Sequence, residues 1–239
     1  MSRTLTELAT ASIQSLLDRL AAPATPPAEY KHIMYQLGFE HGKALRDKLE
    51  GKSVGIACTV EDADFLVQGI IEGLKGSVSS ISVACFWNKR FPGDETRNIP
   101  DTAPIQRKYS EPTIKSVDSL IVAKSIISGA CVVKTNLTHL IRESSPSMIY
   151  VVAPVMFTNA KSNLEKEFAS DITRRFEYYY FAQDDQKSAD NNVIPGIGGN
   201  VYQRLGFEGQ DDKNHYTPEL VINRRRNLSS GKSTPLSHA

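Results

Sequence analysis

Short apolar runs that alternate with helical segments are the feature that most constrains how this chain folds. Four such runs predict buried strands, at residues 53–60, 80–87, 119–127 and 148–155. Apolar residues at helical spacing predict helices over residues 62–74, up to residue 142 after the third strand, and from residue 159. A fifth run, residues 175–181, predicts another strand. Buried strands alternating with helices predict an α/β fold, a mainly parallel sheet with helices on both faces.

The first 28 residues predict an added N-terminal helix and a proline-rich linker. Between residues 4 and 20, apolar side chains recur three and four positions apart, the spacing of an amphipathic helix. They are Leu5, Leu8, Ile13, Leu16, Leu17 and Leu20. Either the helix's own domain or a neighbouring subunit can cover this stripe. Because the linker from Pro23 to Pro27 is stiff, we expect the helix to pack against a second copy of the chain, in a homo-oligomer.

The rest of the chain predicts one domain, residues 29–222, and a basic tail, residues 223–239. The domain opens with a helix over about residues 29–49, which ends at Gly51 as helices commonly do. The tail contains Arg224, Arg225 and Arg226 ahead of Ser, Gly, Pro and Lys, a composition typical of mobile termini.

Composition and charge exclude several classes of function. The chain has 239 residues, enough for one large domain, and its 28 basic and 27 acidic residues leave a net charge of +1. That balance gives no strong nucleic-acid signal and no general attraction to acidic lipid. No apolar run approaches the roughly 20 residues that a membrane helix requires. The sequence starts without the pattern of a signal peptide and has three cysteines, so we expect a cytoplasmic protein.

A run of small residues between the third strand and its helix is the first candidate site. Ser128, Gly129, Ala130 and Cys131 occupy this turn. Exposed amides at the start of a helix, together with its dipole, favour an anion such as a phosphate group. The alternative is a tight strand-to-helix turn that needs small residues for space alone. Ligands of open α/β sheets bind at the carboxyl ends of the strands, which favours the phosphate-binding interpretation.

A glycine-rich loop at residues 193–200 is the second candidate site. Its glycines allow a flat ring to approach the backbone, whose N–H and C=O groups can read the polar edge of a base. The candidate base-binding residues are Val193, Ile194, Gly196 and Gly198. The alternative is a surface loop with turn glycines. An acidic pair, Asp184 and Asp185, precedes the loop.

These motifs resemble the uracil phosphoribosyltransferase family. V-I-P-G-I-G at residues 193–198 resembles that family's I-V-P-G-L-G uracil loop, and Asp184 and Asp185 fall where the family has its D-E pair. Residues 65–74 are similar to the helix after its R-A-G motif, and residues 119–140 to the region of D-P-M-x-A-T-G-G-S. The resemblance implies a phosphoribosyltransferase-type fold with a small hood over about residues 184–216. It also implies a nucleobase or nucleotide ligand.

The sequence departs from the family at positions that serve phosphoribosyl pyrophosphate. Acidic residues replace the arginine of R-A-G, alanine replaces the acid that opens D-P-M, and two aspartates of the uracil loop are missing. The residues at these positions are Glu61, Asp62, Asp64, Ala123, Gly199 and Tyr202. A carboxylate about 4 Å from a phosphate costs on the order of 4 kcal/mol at a dielectric of about 20, and a lost arginine contact about 1.5–3 kcal/mol.

Two interpretations of function follow from these departures. The first is a divergent protein that binds a nucleobase or nucleotide monophosphate, or serves as a subunit of an assembly, with weak or no standard turnover. The alternative is an active pyrimidine-type phosphoribosyltransferase, or a related N-glycosidic enzyme, with a rebuilt donor site. That site would use Glu61, Asp62, Asp64 or Lys124, with Mg²⁺ as its cofactor.

The histidines, cysteines and aromatic residues add no catalytic group. The five histidines lack metal-ligand spacing and predict surface or packing roles, so the sequence indicates no metal site. Cys58 and Cys85 fall in predicted buried strands, whereas Cys131, at a helix start, has a reason for a lowered pKa. The aromatic run at residues 176–181 predicts core and dimer contacts.

Overall fold

Eight strands form one sheet in the part of the chain that the computed structural model describes, residues 3–93, 97 and 101–230. The strands are β1 (Arg3–Leu5), β2 (Ser53–Thr59), β3 (Ser80–Asn88), β4 (Ile105–Ser110), β5 (Ser119–Ala123), β6 (Ile126–Ile127), β7 (Met148–Phe157) and β8 (Phe176–Asp184). Their order is β1-β8-β7-β5-β2-β3-β4, and β6 pairs with β7. A separate hairpin joins β9 (Gln186–Lys187) to β10 (Val193–Ile194).

The centre of the sheet is parallel and its two edges are antiparallel. The pairs β3–β2, β2–β5, β5–β7 and β7–β8 all run parallel. At the edges, β4 pairs antiparallel with β3, and β1 pairs antiparallel with β8. Sequence patterns located the five parallel strands but missed β1 and β4, because these short edge strands lack a continuous apolar run.

Helices cover both faces of the sheet. They are α1 (Ala11–Ala21), α2 (Pro27–Ala44), α3 (Arg46–Leu49), α4 (Gln68–Leu74), α5 (Cys131–Ile141), α6 (Ala160–Glu165), α7 (Ser170–Thr173), α8 (Val201–Arg204), α9 (Gln210–His215) and α10 (Glu219–Ser229). On one face α4 and α10 contribute Ile70 and Leu220 to the core. On the other, α5 and α6 contribute Leu137 and Leu164. The predicted α/β fold with a mainly parallel sheet and helices on both faces is confirmed.

No helix among the described residues is long and apolar enough to cross a membrane.

Four glycines bring α2 and α4 into backbone contact, Gly38 and Gly42 in α2 and Gly69 and Gly73 in α4. A Cβ built on Gly69 of α4 would lie 2.1 Å from the carbonyl oxygen of Tyr35 in α2. A Cβ on Gly73 would lie 2.9 Å from the Cα of Gly42. These distances are shorter than real carbon contacts, so the two helices approach this closely only because the side chains are absent.

The predicted helix over residues 62–74 is only partly regular. A 3₁₀ turn (Val60–Asp62) and a π-helical turn (Ala63–Val67) precede α4.

The N-terminal arm folds onto its own chain, so the apolar stripe expected to pack against a second copy is covered within the chain. The expected homo-oligomer stays a prediction. Residues 3–5 extend the sheet beside β8. Helix α1 begins at Ala11 and is capped by the Thr10 side chain, which accepts a hydrogen bond from Ile13 N–H. The buried side chains of α1 pack with those of α2 and β8. This cluster includes Ile13, Leu17, Leu20, Tyr30, Leu37 and Phe181. The apolar stripe lies on this surface because strand pairing of residues 3–5 with β8 holds the arm beside its own domain. The proline-containing linker then reverses the chain direction into α2.

The tail predicted from residue 223 begins as a helix. Arg224, Arg225 and Arg226 all lie in α10. Arg224 pairs with Glu111 at 3.1 Å, and Arg225 lies over the ring of Tyr109 at 5.4 Å from its centroid. The prediction of a mobile tail from residue 223 is therefore wrong up to residue 230, because these basic side chains find an acidic and an aromatic partner. Residues 231–239, the remainder of that predicted tail, lie outside the described residues.

We expect Gly69→Ala to destabilise the protein, because the new methyl group would meet the Tyr35 carbonyl rather than a movable side chain. The loss in free energy of unfolding should be at least about 2 kcal/mol in urea denaturation. Gly129→Ala is the control, since no atom lies within 4 Å of its added Cβ, and its effect should stay within about 0.5 kcal/mol. Equal effects of the two substitutions would contradict the close packing of α2 on α4.

His41 makes stability depend on pH. Its ring is fully buried in α2 and stacks on Phe181 with centroids 3.9 Å apart. Burial, opposed in part by the backbone of Ala153, lowers the pKa of His41 from 6.5 to about 3. Below pH 6.5 the unfolded chain therefore binds a proton at His41 that the folded chain does not bind. The free energy of unfolding falls as the pH drops from 6.5 toward 3.

We expect His41→Leu to lose this dependence. Between pH 6 and pH 4, the free energy of unfolding of the unmodified protein should fall by about 2–3 kcal/mol more than that of the variant. Chemical denaturation at both pH values measures the difference, and carboxylates that titrate in both proteins cancel. Parallel curves for the two proteins would show that His41 is not held neutral.

Candidate functional site

Charged side chains meet at the carboxyl edge of the sheet, where β2 and β5 end beneath the hood. The ammonium group of Lys124 lies 2.9 Å from Glu61 Oε1 and 2.8 Å from Asp62 Oδ2. A second ammonium group, from Lys213 in α9 of the hood, lies 3.6 Å from Glu61 Oε2. The two carboxylates and Lys213 are buried, and only 12% of the Lys124 side chain is exposed. We refer to Glu61, Asp62, Lys124 and Lys213 as the lysine–carboxylate cluster.

Within the cluster, Asp62 holds the ends of β2 and β5 together. Its Oδ2 accepts a 2.6 Å hydrogen bond from the Thr59 hydroxyl as well as the bond from Lys124. Its Oδ1 accepts a 3.0 Å hydrogen bond from the amide of Ser125. Asp62 therefore has donors at both oxygens and serves as a fixed tie between the two strand ends.

The cluster is charge-balanced at neutral pH. Burial alone would raise the pKa of Glu61, but the positive charges of Lys124 and Lys213 lower it to about 2. Burial opposes the charged form of Lys124, yet Asp62 and Glu61 raise its pKa. Burial lowers the pKa of Lys213, opposed by Glu61. Glu61 and Lys124 are thus held ionised, whereas the surroundings of Lys213 on balance lower its pKa.

Asp64 lies apart from the cluster and caps a helix. Its carboxylate accepts hydrogen bonds from the amides of Glu219 and Leu220, at 2.9 and 2.8 Å, and from the hydroxyl of Tyr216. These amides open α10, so Asp64 stabilises a helix N-terminus that is distant in sequence. Of the four residues considered for a rebuilt donor site, the structure therefore brings together Glu61, Asp62 and Lys124 but not Asp64.

The hood is attached to the sheet through Asp184. Its carboxylate is fully buried and receives two hydrogen bonds from the Arg3 guanidinium, at 2.8 and 2.7 Å. The same carboxylate accepts the amide of Gly196 at 2.8 Å, and Arg3 also donates to the Gly196 carbonyl at 2.7 Å. Asp184 thus connects the edge strand β1 to the glycine-rich loop, whereas its neighbour Asp185 is exposed.

The glycine-rich loop turns its backbone toward the N-terminal arm. The Ile197 carbonyl accepts a hydrogen bond from the Tyr30 hydroxyl at 3.1 Å. A Cβ on Gly198 would lie 2.8 Å from the Leu20 carbonyl oxygen, so the loop contacts the end of α1 closely. Val193 and Ile194 form β10, followed by a cis peptide bond to Pro195. Several polar groups that could read a base are therefore already bonded within the chain.

The turn at Ser128 to Cys131 is left open by the described residues. Nothing lies within 4 Å of a Cβ built on Gly129, and no described residue accepts a hydrogen bond from the amides of Gly129, Ala130 or Cys131. These amides precede or begin the 11-residue helix α5. The expected lowering of the Cys131 pKa is wrong: burial raises it, although Arg90 opposes the shift. The thiol donates to the Asp101 carbonyl at 3.4 Å.

Arg90 and Lys213 are site residues that the sequence did not reveal. The charge of Arg90 reaches both the Cys131 thiol and Tyr202 in the hood, where burial and Glu61 raise the tyrosine pKa to about 12. Among the described residues, only the backbone of Arg90 forms hydrogen bonds, both with Gln210. Lys213 is 1% exposed and donates to the Asn88 carbonyl at 3.0 Å. A lysine within a polar stretch carries no sequence signal of such burial.

No family model matches the chain, and no curated relative matches it either. Solved structures do resemble it. The AQ2163 protein from Aquifex aeolicus has a TM-score of 0.64 and 16% identity, over 86% of this chain and 99% of that one. TT1426 from Thermus thermophilus has a TM-score of 0.44 and 10% identity, over 80% and 96% of the two chains. A hypoxanthine-guanine phosphoribosyltransferase from Bacillus anthracis has a TM-score of 0.38 and 11% identity, over 67% and 76%. The likeness to AQ2163 is one of fold alone.

We expect Asp184→Asn to loosen the hood and destabilise the protein, because it leaves the Arg3 guanidinium, 14% exposed, without its carboxylate. The cost should be roughly 3 kcal/mol in chemical denaturation, with faster amide hydrogen exchange at Gly196. Asp185→Asn is the matched control, since it removes the same charge at an exposed neighbouring position. If both variants behaved alike, the tie between β1 and the hood would not support the loop.

Proposed function

We propose that this chain is a phosphoribosyltransferase-like protein that binds a phosphate monoester, such as a nucleoside monophosphate. In this proposal the phosphate lies on the turn from Ser128 to Cys131, and standard turnover of a pyrophosphorylated donor is absent or weak. The observation that carries the proposal is a contrast along one edge of the sheet. The amides of the turn are open, whereas the neighbouring lysine–carboxylate cluster is closed and charge-balanced.

The open turn has the properties of a phosphate cradle. Unbonded amides and the dipole of α5 both favour negative charge at its N-terminus. Arg90 adds a positive charge within electrostatic reach of Cys131. Its guanidinium forms no hydrogen bond with a described residue.

The closed cluster disfavours a pyrophosphorylated donor. Glu61 and Asp62 place two buried carboxylates where the resembling family has an arginine. A pyrophosphate group beside them would gain little attraction, because the two lysine ammonium groups that could bind it are already paired with Glu61 and Asp62. The carboxylates do not fit Mg²⁺ either, because lysine ammonium groups already lie at the oxygens of Glu61 and Asp62.

The hood contributes weak base selectivity in this proposal. Of the proposed base-binding residues, Gly196 uses both backbone groups on Asp184 and Arg3, and Gly198 packs against α1. Val193 and Ile194 remain as apolar contacts for a base. Uridine monophosphate and ribose 5-phosphate should therefore bind with affinities within about tenfold of one another, since a single good hydrogen bond is worth about 1 kcal/mol.

The proposal is tested by titration calorimetry with uridine monophosphate, and separately with phosphoribosyl pyrophosphate plus Mg²⁺. We expect Gly129→Asp to weaken binding of the monophosphate at least tenfold, because a carboxylate in the cradle costs about 1.4 kcal/mol or more against the phosphate. Gly129→Asn is the matched control and should stay within about threefold, since Gly129 has open space for either side chain.

Three outcomes would oppose the proposal. Conversion of uracil and phosphoribosyl pyrophosphate to the nucleotide at about 1 per second or faster would establish the active alternative. Equal losses in the two Gly129 variants would place the phosphate elsewhere. Absence of binding by every phosphate ligand would leave a role as a subunit of an assembly.

A further inference from the structure

Two lysine ammonium groups converge on one carboxylate beneath the hood. Lys124, at the end of β5, lies 2.9 Å from Glu61 Oε1, and Lys213, carried by α9, lies 3.6 Å from Glu61 Oε2. The two lysines come from separate segments of the chain. Their like charges repel, so neither stabilises the buried position of the other. Both lysines are instead paired with the negative charge of Glu61, which lies between them.

Glu61 is held less firmly than its neighbour Asp62. Asp62 receives hydrogen bonds from Thr59, Lys124 and the Ser125 amide, so both of its oxygens are bonded. Glu61 Oε1 receives one bond, from Lys124, and Glu61 Oε2 receives none. The 3.6 Å to Lys213 exceeds hydrogen-bond distance. Glu61 therefore balances charge without filling the hydrogen-bonding capacity of the site.

A narrow gap adjoins this under-bonded carboxylate. It is lined by Glu61, Asp62 and Ser125 together with hood residues that include Val201 and Leu205, and it is too narrow to admit a water molecule. The Ser125 hydroxyl is buried and, like Glu61 Oε2, has no hydrogen-bond partner among the described residues. Buried polar atoms without partners are uncommon, and two of them beside one gap indicate that the Glu61 carboxylate does not fully satisfy the hydrogen-bonding groups around it.

We propose that Lys124 and Lys213 form a binding site for a small oxyanion, and that the Glu61 carboxylate occupies this site as an internal substitute. The site is separate from the turn at residues 128–131 and does not depend on the function proposed above. An external oxyanion reaches the two lysines only when the carboxylate is absent or withdrawn. Because Lys213 belongs to the hood, the occupant of the site also holds the hood to the sheet.

Acetate tests this proposal because it supplies the carboxylate that Glu61→Ala removes. We expect Glu61→Ala to be destabilised in sodium chloride and to regain thermal stability with acetate in a saturable manner at equal ionic strength. Glu61→Gln is the matched control, since its amide fills the space and should weaken the response to acetate at least tenfold. Adding Lys213→Met to Glu61→Ala should abolish the response.

The phosphate turn is excluded as the source of the response by repeating the titration in the Gly129→Asp background, where rescue by acetate should persist. Loss of rescue in that background, or rescue that survives Lys213→Met, would overturn the proposal. An equal acetate response in the unmodified protein and Glu61→Ala would also overturn it. If Glu61→Ala is insoluble in chloride, recovery of folded protein in acetate alone supports the proposal, and insolubility in both salts contradicts it.

Discussion

The backbone contact between α2 and α4 is the constraint on which the rest of the site depends. Gly69 and Gly73 allow α4 to lie directly against α2, with carbonyl groups where side chains would otherwise stand. This approach places the π-helical turn Ala63–Val67 and the preceding 3₁₀ turn over the end of β2. Glu61 and Asp62 lie in that 3₁₀ turn, so helix packing determines where the two carboxylates meet Lys124.

Local periodicity was sufficient to predict the framework of the fold. Residues 53–60 and 148–155 correspond closely to β2 and β7, because a buried parallel strand needs a continuous apolar run. The edge strand β4 was missed because its residues 106–108 are exposed and polar. The π-helical turn was missed because hydrophobic spacing alone does not distinguish it from a regular helix.

The roles of the acidic residues could not be predicted from sequence, because each depends on a partner far along the chain. Asp64 and Asp184 looked like ligand-binding carboxylates, but they bond to residues more than 150 positions away in sequence. The V-I-P-G-I-G motif is preserved as a turn, yet its backbone is committed to Arg3 and Tyr30. The resemblance of a motif in sequence therefore does not show that its backbone groups are free to bind a ligand.

The pairing of β1 with β8 has a consequence for the order in which the molecule folds. Arg3 and Asp184 are separated by 181 positions, and the strand pairing they support joins the two most distant parts of the sheet in sequence. During synthesis at about 5–20 residues per second, the first strand would wait roughly ten seconds or more for its neighbour to emerge. Until then the apolar face of α1 has only the neighbouring helix α2 to pack against, because Phe181 and Ala182 of β8 complete the same cluster.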